Sequence, residues 1–168
     1  MVTILNKSSR KLIATFFLIV LVVSCDSKQV FDEYTSINNK KWGIYTPVAF
    51  QFAVNDTLSK RNLYINIRNN KDYQFSNLFL ITKMQFPDGQ TMVDTLEYDM
   101  ADNNGKFLGK GISDIKESKL FYKENIVFPV TGAYSLELFQ AMRKSGEVDG
   151  IEDLEGITDV GFRIEKTK

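Results

Sequence analysis

Three neighbouring segments of the sequence decide the fold class: YQFSNLFLITKMQF (73–86), PDG (87–89) and TMVDTLEY (91–98). The first run is rich in aromatic, β-branched and other apolar residues, and the last run returns with Met92 and Leu96. Both are typical of strands. Pro, Asp and Gly between them are typical of a tight turn. The stretch therefore predicts a hairpin of two long antiparallel strands.

Further strands are predicted on both sides of this hairpin. Alternation of apolar with smaller or polar residues marks 48–54 (VAFQFAV) and 63–68 (LYINIR), and 119–122, 126–130, 133–142 and 158–166 complete the set. No helical stripe follows Cys25, and residues 99–118 read as a long polar connection. About eight or nine short strands separated by turns predict an all-β, antiparallel β-sandwich, either jelly-roll-like or immunoglobulin-like.

The bulk composition is that of one globular domain. The chain has 168 residues, of which 43% are hydrophobic and 25% charged. Its net charge is zero, but Lys7, Arg10 and Lys11 precede Cys25 without any acidic residue, so the remainder has 18 basic against 21 acidic residues. A mildly acidic domain without a basic stripe does not fit nucleic-acid binding.

Residues 1–24 have the layout of a secretory signal. The three basic residues come first, a twelve-residue, mainly apolar run follows at 12–23, and the small Ser24 ends it. A helix of that length spans roughly 18 Å, whereas the hydrocarbon core of a bilayer measures about 30 Å. A permanent membrane span is therefore not expected.

The end of this signal resembles a bacterial lipobox, VVSC at 22–25. That resemblance implies cleavage between Ser24 and Cys25, and attachment of diacylglycerol and a fatty acid such as palmitate to Cys25. Two or three chains give stable anchoring, where one gives only reversible binding. The alternatives are an ordinary cleaved signal or an uncleaved anchor, with Cys25 incidental. Since Cys25 is the only cysteine, no disulfide is possible within the chain.

The domain organisation predicted from these features has three parts. Residues 1–24 form the lipoprotein signal peptide. Residues 25–41 form a lipidated N-terminus, in which 26–29 act as a short tether and 30–41, with several large apolar residues, pack partly on the domain. Residues 42–168 form the β-sandwich.

Catalytic chemistry finds little support in the sequence. The chain has no histidine, which excludes Ser-His-Asp and Cys-His catalysis and imidazole metal sites. It also has no dinucleotide, phosphate-loop or zinc-protease motif. We therefore expect a protein that is not an enzyme, with no cofactor and no small-molecule ligand.

Two acidic segments deserve separate hypotheses. Residues 149–155 (DGIEDLE) could supply a hydrolytic carboxylate pair, but a solvated loop before the last strand is the preferred interpretation. Residues 99–105 (DMADNNG) resemble a calcium loop, yet Ala101 replaces a ligand and Lys110 replaces the terminal glutamate, which favours a polar turn.

Aromatic and arginine side chains offer two further candidates. Five aromatic residues could build a sugar-stacking platform or belong to strand cores: Trp42, Tyr45, Tyr73, Phe121 and Tyr122. Arg68 and Arg143 each end a predicted strand and could contact a partner or pair with a carboxylate.

The order of segments resembles the GldH-type gliding motility lipoprotein family of the Bacteroidota. The segments that carry the resemblance are VVSC (22–25), Phe31 and Tyr34 before Trp42, VAFQFAV (48–54) with Asp56, LYINIRNN (63–70), DYQFSNLFL (72–80), FPDG (86–89), DTL (94–96), NNGKFLGKG (103–111), FPVTGAYSLELFQAMR (128–143) and GITDVGFRI (156–164).

This resemblance implies a membrane-anchored, non-enzymatic accessory of the gliding machinery, linked to type IX secretion of surface adhesins. Its implied partners are the membrane, through the lipid, and other gliding lipoproteins. Its implied location is the cell envelope, at the periplasmic or surface face of the outer membrane. The alternative function is a carbohydrate-binding β-sandwich lipoprotein.

Overall fold

The computed structural model describes residues 26–111 and 113–167, and strands dominate it. They are, in chain order, β1 (Gln29–Ser36), β2 (Lys41–Gly43), β3 (Val48–Val54), β4 (Arg61–Asn69), β5 (Asn77–Gln85), β6 (Thr91–Asp99), β7 (Lys116–Ile126), β8 (Gly132–Gln140), β9 (Asp153–Glu155) and β10 (Ile157–Lys166). A 3₁₀ turn, Asn38–Lys40, precedes β2. Among these described residues, no helix is long and apolar enough to cross a bilayer.

Eight strands form two four-stranded antiparallel sheets. The β1 sheet has the order β1-β10-β4-β7, and the β3 sheet has the order β3-β8-β5-β6. The two short strands β2 and β9 form a separate ladder, in which Trp42 pairs with Leu154. Both of these side chains are fully buried, so the small ladder belongs to the core of the domain.

The strand pairings are nested along the chain. β1 pairs with β10, β3 with β8, β4 with β7, and β5 with β6. The chain is thus one long two-stranded ribbon whose tip is the β5–β6 hairpin, and successive segments of the ribbon fall alternately into the two sheets. This arrangement is a jelly roll. It confirms the predicted antiparallel sandwich, with the jelly-roll arrangement adopted instead of the immunoglobulin-like one.

The predicted hairpin is present and regular. Its register runs from Asn77 opposite Asp99 to Gln85 opposite Thr91 without a shift. The turn is closed by the Phe86 N–H, which donates to the Gln90 carbonyl at 2.9 Å. Gly89 has a φ of +86°, a conformation that glycine adopts without steric cost.

Alternating side chains from both sheets fill the core. In β3, for example, Val48, Phe50, Phe52 and Val54 are buried and the residues between them are exposed. At one end of the sandwich the ring of Phe52 lies within 5.4–5.8 Å, centroid to centroid, of four other aromatic rings: Phe31, Phe128, Tyr134 and Phe162. Such pairs contribute about 0.5–1.5 kcal/mol each beyond their buried area. This cluster therefore joins the two sheets.

A buried hydroxyl also ties the sheets together. Tyr122 in β7 places its hydroxyl 3.0 Å from Thr82 Oγ1 in β5, and it donates to Asp94 Oδ2 in β6 at 2.9 Å. Lys123 pairs with the same carboxylate at 3.0 Å. Because the Tyr122 hydroxyl lies inside the sandwich, its two partners satisfy a polar group that would otherwise be costly to bury.

Three parts of the chain differ from the sequence-based expectation. Residues 26–29 form a turn rather than a tether, and β1 adds residues 29–36 to the edge of a sheet. The expected strand 119–122 is part of a longer strand, β7, and the expected strand 126–130 is wrong, because β7 ends at Ile126 and residues 127–131 form a loop. The alternation of apolar and polar residues gave no indication of β2 or β9, because each of these strands has only three residues.

Candidate functional site

The edge strand β3 is the most distinctive surface of the domain. It pairs with β8 on one side only, as the last strand of its sheet. Its sequence, VAFQFAV, contains no charged residue, proline or glycine. Ala49, Gln51 and Ala53 are exposed. A row of main-chain groups in so apolar a strand is a template on which another extended segment can pair.

The other three edge strands carry the charges that normally discourage such pairing. β1 contains Asp32 and Glu33, and β6 contains Asp94, Glu97 and Asp99. β7 carries five charged residues, Lys116, Glu117, Lys119, Lys123 and Glu124, and its register with β4 is shifted in two places. Among the four edge strands of these two sheets in the described part of the chain, β3 is the one without a charged residue.

A shallow apolar cleft lies beside this edge. It has a volume of about 230 Å³ and separates the start of β1 from the end of β3. Val30 and Phe31 line one side, Ala53 and Val54 line the other, and Phe128 contributes to the lining. The cleft could accept an apolar side chain from a strand paired along β3, which would add specificity to the main-chain hydrogen bonds.

The outer face of the β1 sheet is covered by paired charges. Arg68, singled out from the sequence, donates from Nε to Glu117 Oε2 at 2.6 Å, and its guanidinium lies 4.2 Å from the centre of the Tyr34 ring. The Tyr34 hydroxyl donates to the same carboxylate. Burial, together with the charge of Glu117, raises the pKa of Tyr34 to about 12. Arg68 is thus engaged within the domain.

A second group of charges lies beside the first. Arg163 pairs with Asp26, Asp32 and Glu165, and Lys119 pairs with Glu165 at 2.7 Å. Burial favours the neutral form of Glu165, but the hydrogen bonds from Lys119 and Arg163 outweigh burial and hold its pKa below the ordinary value. These groups stabilise the sheet and link β1, β10 and β7.

The acidic segment 149–155 is more structured than a solvated loop. Residues 153–155 form β9, Leu154 is buried, and Glu155 pairs with Lys41 at 2.7 Å. A cleft of about 420 Å³ lies nearby. Five carboxylate residues and one lysine are among its lining residues: Asp72, Glu147, Glu152, Asp153, Glu155 and Lys144.

The segment that resembles a calcium loop forms a turn held by its own side chain. Asp102 Oδ1 accepts the N–H groups of Asn104 and Lys106, each at 2.9 Å. Across residues 26–111 and 113–167, no three carboxylate or other metal-ligating side chains are grouped so that they could hold a metal ion.

The structure does not bring the five candidate aromatic residues together. Trp42, Tyr73 and Tyr122 are buried in the core. Phe121 lies on the outer face of the β1 sheet, where its ring is 5.1 Å from that of Tyr64, and the exposed Tyr45 lies between β2 and β3. The hypothesis that these five side chains form a sugar-stacking platform is therefore wrong.

The remaining candidates have less to contribute. Arg143 follows β8, and its backbone forms an isolated antiparallel β-bridge with Gly150. Arg143 also lines a shallow groove with Ile44 and Phe139. Ser24 and Cys25 lie outside the described residues, so cleavage and lipidation stay predictions from the sequence.

A family model described as GldH lipoprotein matches residues 29–164, from β1 to within β10. The chain belongs to the GldH lipoprotein family. The family match covers both sheets and includes β1 and the β3 edge. It confirms the resemblance seen in the order of the sequence segments.

Two relatives from this family are similar along nearly their whole length. A gliding motility lipoprotein GldH homolog of Christiangramia forsetii is 56% identical over 90% of this chain and 92% of its own length. The gliding motility lipoprotein GldH of Flavobacterium johnsoniae is 51% identical over 88% of this chain and 91% of its own length. Among solved structures, a family GH115 4-O-methyl-alpha-glucuronidase matches with a TM-score of 0.39 at 14% identity, over 86% of this chain and 18% of that enzyme. A match that weak supports no functional conclusion.

Proposed function

We propose that this protein is a lipid-anchored accessory of the gliding motility machinery that acts by binding other proteins and not by catalysis. Two gliding motility lipoproteins that match it over about 90% of its length support this role. The observation that carries the binding mechanism is the β3 edge, an uncharged strand with one side unpaired in its sheet. A partner strand added along β3 would extend the sheet.

Anchoring makes a modest interface sufficient. A domain confined to the membrane surface meets other anchored proteins at a raised effective concentration, so binding of moderate affinity gives lasting association. The proposed location is the outer membrane, at its periplasmic or surface face. The proposed partners are other gliding lipoproteins and membrane components, with a link to type IX secretion of surface adhesins.

The test of the docking strand uses two matched double variants. Ala49→Lys/Ala53→Lys places two charges on the exposed side of β3, where Ala49 is opposite Glu137. Thr91→Lys/Thr95→Lys places two charges at the same spacing on the exposed side of β6, the other edge of the same sheet. Both variants should fold, because all four positions face solvent.

The readout is the set of proteins that co-purify from membranes after mild crosslinking. We expect the β3 variant to lose its partners and to spread poorly, and the β6 variant to behave like the parent protein. Equal retention of partners by both variants would contradict docking at β3.

The anchor is tested separately with Cys25→Ala. Removing the only cysteine should release the protein from membranes and abolish motility while circular dichroism stays unchanged, since residue 25 precedes the described domain. Normal spreading by a stably expressed variant would show that anchoring is not required.

A further inference from the structure

The folded domain begins immediately after the proposed lipidation site. The Asp26 carbonyl accepts the Gln29 N–H at 3.2 Å, and Asp26 Oδ1 accepts the Lys28 N–H at 3.1 Å. The other carboxylate oxygen of Asp26 pairs with Arg163 in β10. The Lys28 carbonyl accepts the Lys166 N–H at 2.9 Å. Residue 26 is thus held by both its side chain and its backbone.

This geometry leaves almost no tether, which matters if Cys25 carries the lipid as in the proposed function. One residue spans at most about 3.6 Å, so the acyl chains would leave the polypeptide within that distance of Asp26. A domain attached so closely cannot rotate freely above the membrane. The end of the sandwich that contains Asp26 must lie at the bilayer surface.

That end, which we call the anchor end, is made of the N-terminal turn 26–28, the loops 55–60, 86–90 and 127–131, and residues 166–167. Strand register places these segments together, because Lys166 pairs with Arg61, Arg61 pairs with Ile126, and Gln85 pairs with Ser135. The opposite end, the distal end, holds the segment 37–47, which contains β2, and the loops 70–76, 100–111, 113–115 and 141–152.

The anchor end exposes three aliphatic side chains. Leu58 is 89% exposed, Val30 46% and Val127 42%. Leu58 and Val127 lie in two of its loops, and Val30 is the second residue of β1, directly after the N-terminal turn. Aliphatic side chains of this kind can enter the boundary between headgroups and acyl chains.

The charges of the anchor end also suit a lipid surface. Lys28, Lys60 and Lys166 all lie there. The same segments contain three acidic residues. Arg163 pairs with Asp26, and Arg61 pairs with Asp56 at 3.0 Å, while Asp88 Oδ1 accepts the Gln90 N–H at 3.0 Å. Lysines near a membrane surface are attracted to anionic headgroups.

We propose that the anchor end is a membrane-contact surface, with Leu58, Val30 and Val127 inserted into the interface of the bilayer that holds the lipid anchor. The strands then stand upright, and the distal loops point away from the membrane. The β3 edge runs from the distal end down to the bilayer, so a partner strand would pair perpendicular to the membrane plane.

The chain offers a matched pair of label sites. Leu58 at the anchor end and Val148 at the distal end are both in loops and are 89% and 85% exposed. Leu58→Cys and Val148→Cys each add one thiol for labelling, and the proposed acylation of Cys25, the only native cysteine, would block its own thiol. An environment-sensitive fluorophore on each protein is then measured in vesicles of phosphatidylethanolamine and phosphatidylglycerol that contain a lipid-borne quencher.

We expect several-fold stronger quenching and a blue-shifted emission at residue 58, and water-like emission at residue 148. In the variant Val30→Glu/Val127→Glu, quenching at residue 58 should fall toward the value at residue 148. Equal quenching at the two sites, or stronger quenching at 148, would overturn the contact surface.

Mass spectrometry of the same samples separates this inference from the proposed anchor. Acylated protein with a water-exposed label at residue 58 overturns the contact surface alone. Protein without acyl chains on Cys25 overturns the anchor itself, and with it the contact surface that depends on it.

Discussion

Replacing Gly156 with alanine should destabilise the domain far more than replacing Gly89 with alanine, although their φ angles are +87° and +86°. Gly156 links β9 to β10. Its N–H donates to the Lys40 carbonyl and its carbonyl accepts the Asn70 N–H, both at 2.9 Å. A Cβ at residue 156 would lie 2.1 Å from the Tyr73 nitrogen, whereas a Cβ at residue 89 would meet nothing within 4 Å.

The expected magnitudes follow from these distances. A left-handed conformation costs alanine about 1–2 kcal/mol at either position. At Gly156 the atoms in the way belong to the backbone of Asp72 and Tyr73, so the strand connection itself must move, which adds about 1–3 kcal/mol. Weakening the two hydrogen bonds adds about 1 kcal/mol. Gly156→Ala should therefore lose roughly 3–6 kcal/mol, out of a total stability of about 5–15 kcal/mol.

Urea unfolding followed by Trp42 fluorescence measures both variants. Trp42 is the only tryptophan, it is 1% exposed, and it lies in the β2–β9 ladder next to the substituted residue. We expect Gly89→Ala to lower the midpoint only by the amount that corresponds to the left-handed conformation, about 1–2 kcal/mol, with an unchanged slope. Gly156→Ala should unfold at far lower urea or fail to fold. A Gly156→Ala protein as stable as Gly89→Ala would refute the argument from the close approach of residue 73.

Two further predictions concern buried polar groups. Tyr122→Phe should lower the free energy of unfolding by about 1–2 kcal/mol, because the buried Thr82 and the partly buried Asp94 each lose a hydrogen bond. Tyr45→Phe, at an exposed position, should change it little in the same urea assay. Because the pKa of Glu165 is lowered in the folded protein, its carboxylate contributes to the free energy of unfolding in a way that depends on pH. This contribution is fully present above the ordinary pKa of about 4.5, and it is lost as the pH falls through the lower pKa of the folded state. Urea unfolding between pH 6 and about pH 3 should show a weaker decline for Glu165→Gln, and an identical decline would contradict the assignment.

The sequence alone was sufficient for the elements whose pairing is local. The β5–β6 hairpin was predictable because its turn and both its strands are adjacent in the chain. β3 and β8 were predictable from alternation. β1 was not, because Glu33, Thr35 and Ser36 make it polar and its partner β10 lies over 100 residues away. The short strands β2 and β9 were not predictable either, because their pairing brings together residues over 100 positions apart, among them the buried Trp42 and Leu154.

The candidate site was harder to predict, because its character depends on topology. The motif VAFQFAV marks a strand, but the same pattern would fit the middle of a sheet. Only the nested pairing shows that β3 has one partner. The aromatic residues illustrate the same limit, since Trp42 and Tyr122 have ordinary strand neighbours in the sequence and are buried only by long-range packing.

The side-by-side position of β1 and β10 bears on mechanical load. β1 runs from the anchor end to the distal end, and its hydrogen bonds to β10 lie across that direction. A pull on the N-terminus, away from the domain, therefore acts along the strand and strains this whole row of bonds together instead of opening it one bond at a time. The β1–β10 ladder therefore protects the domain from unfolding when force is applied at its N-terminus, which is the end that an N-terminal lipid would hold.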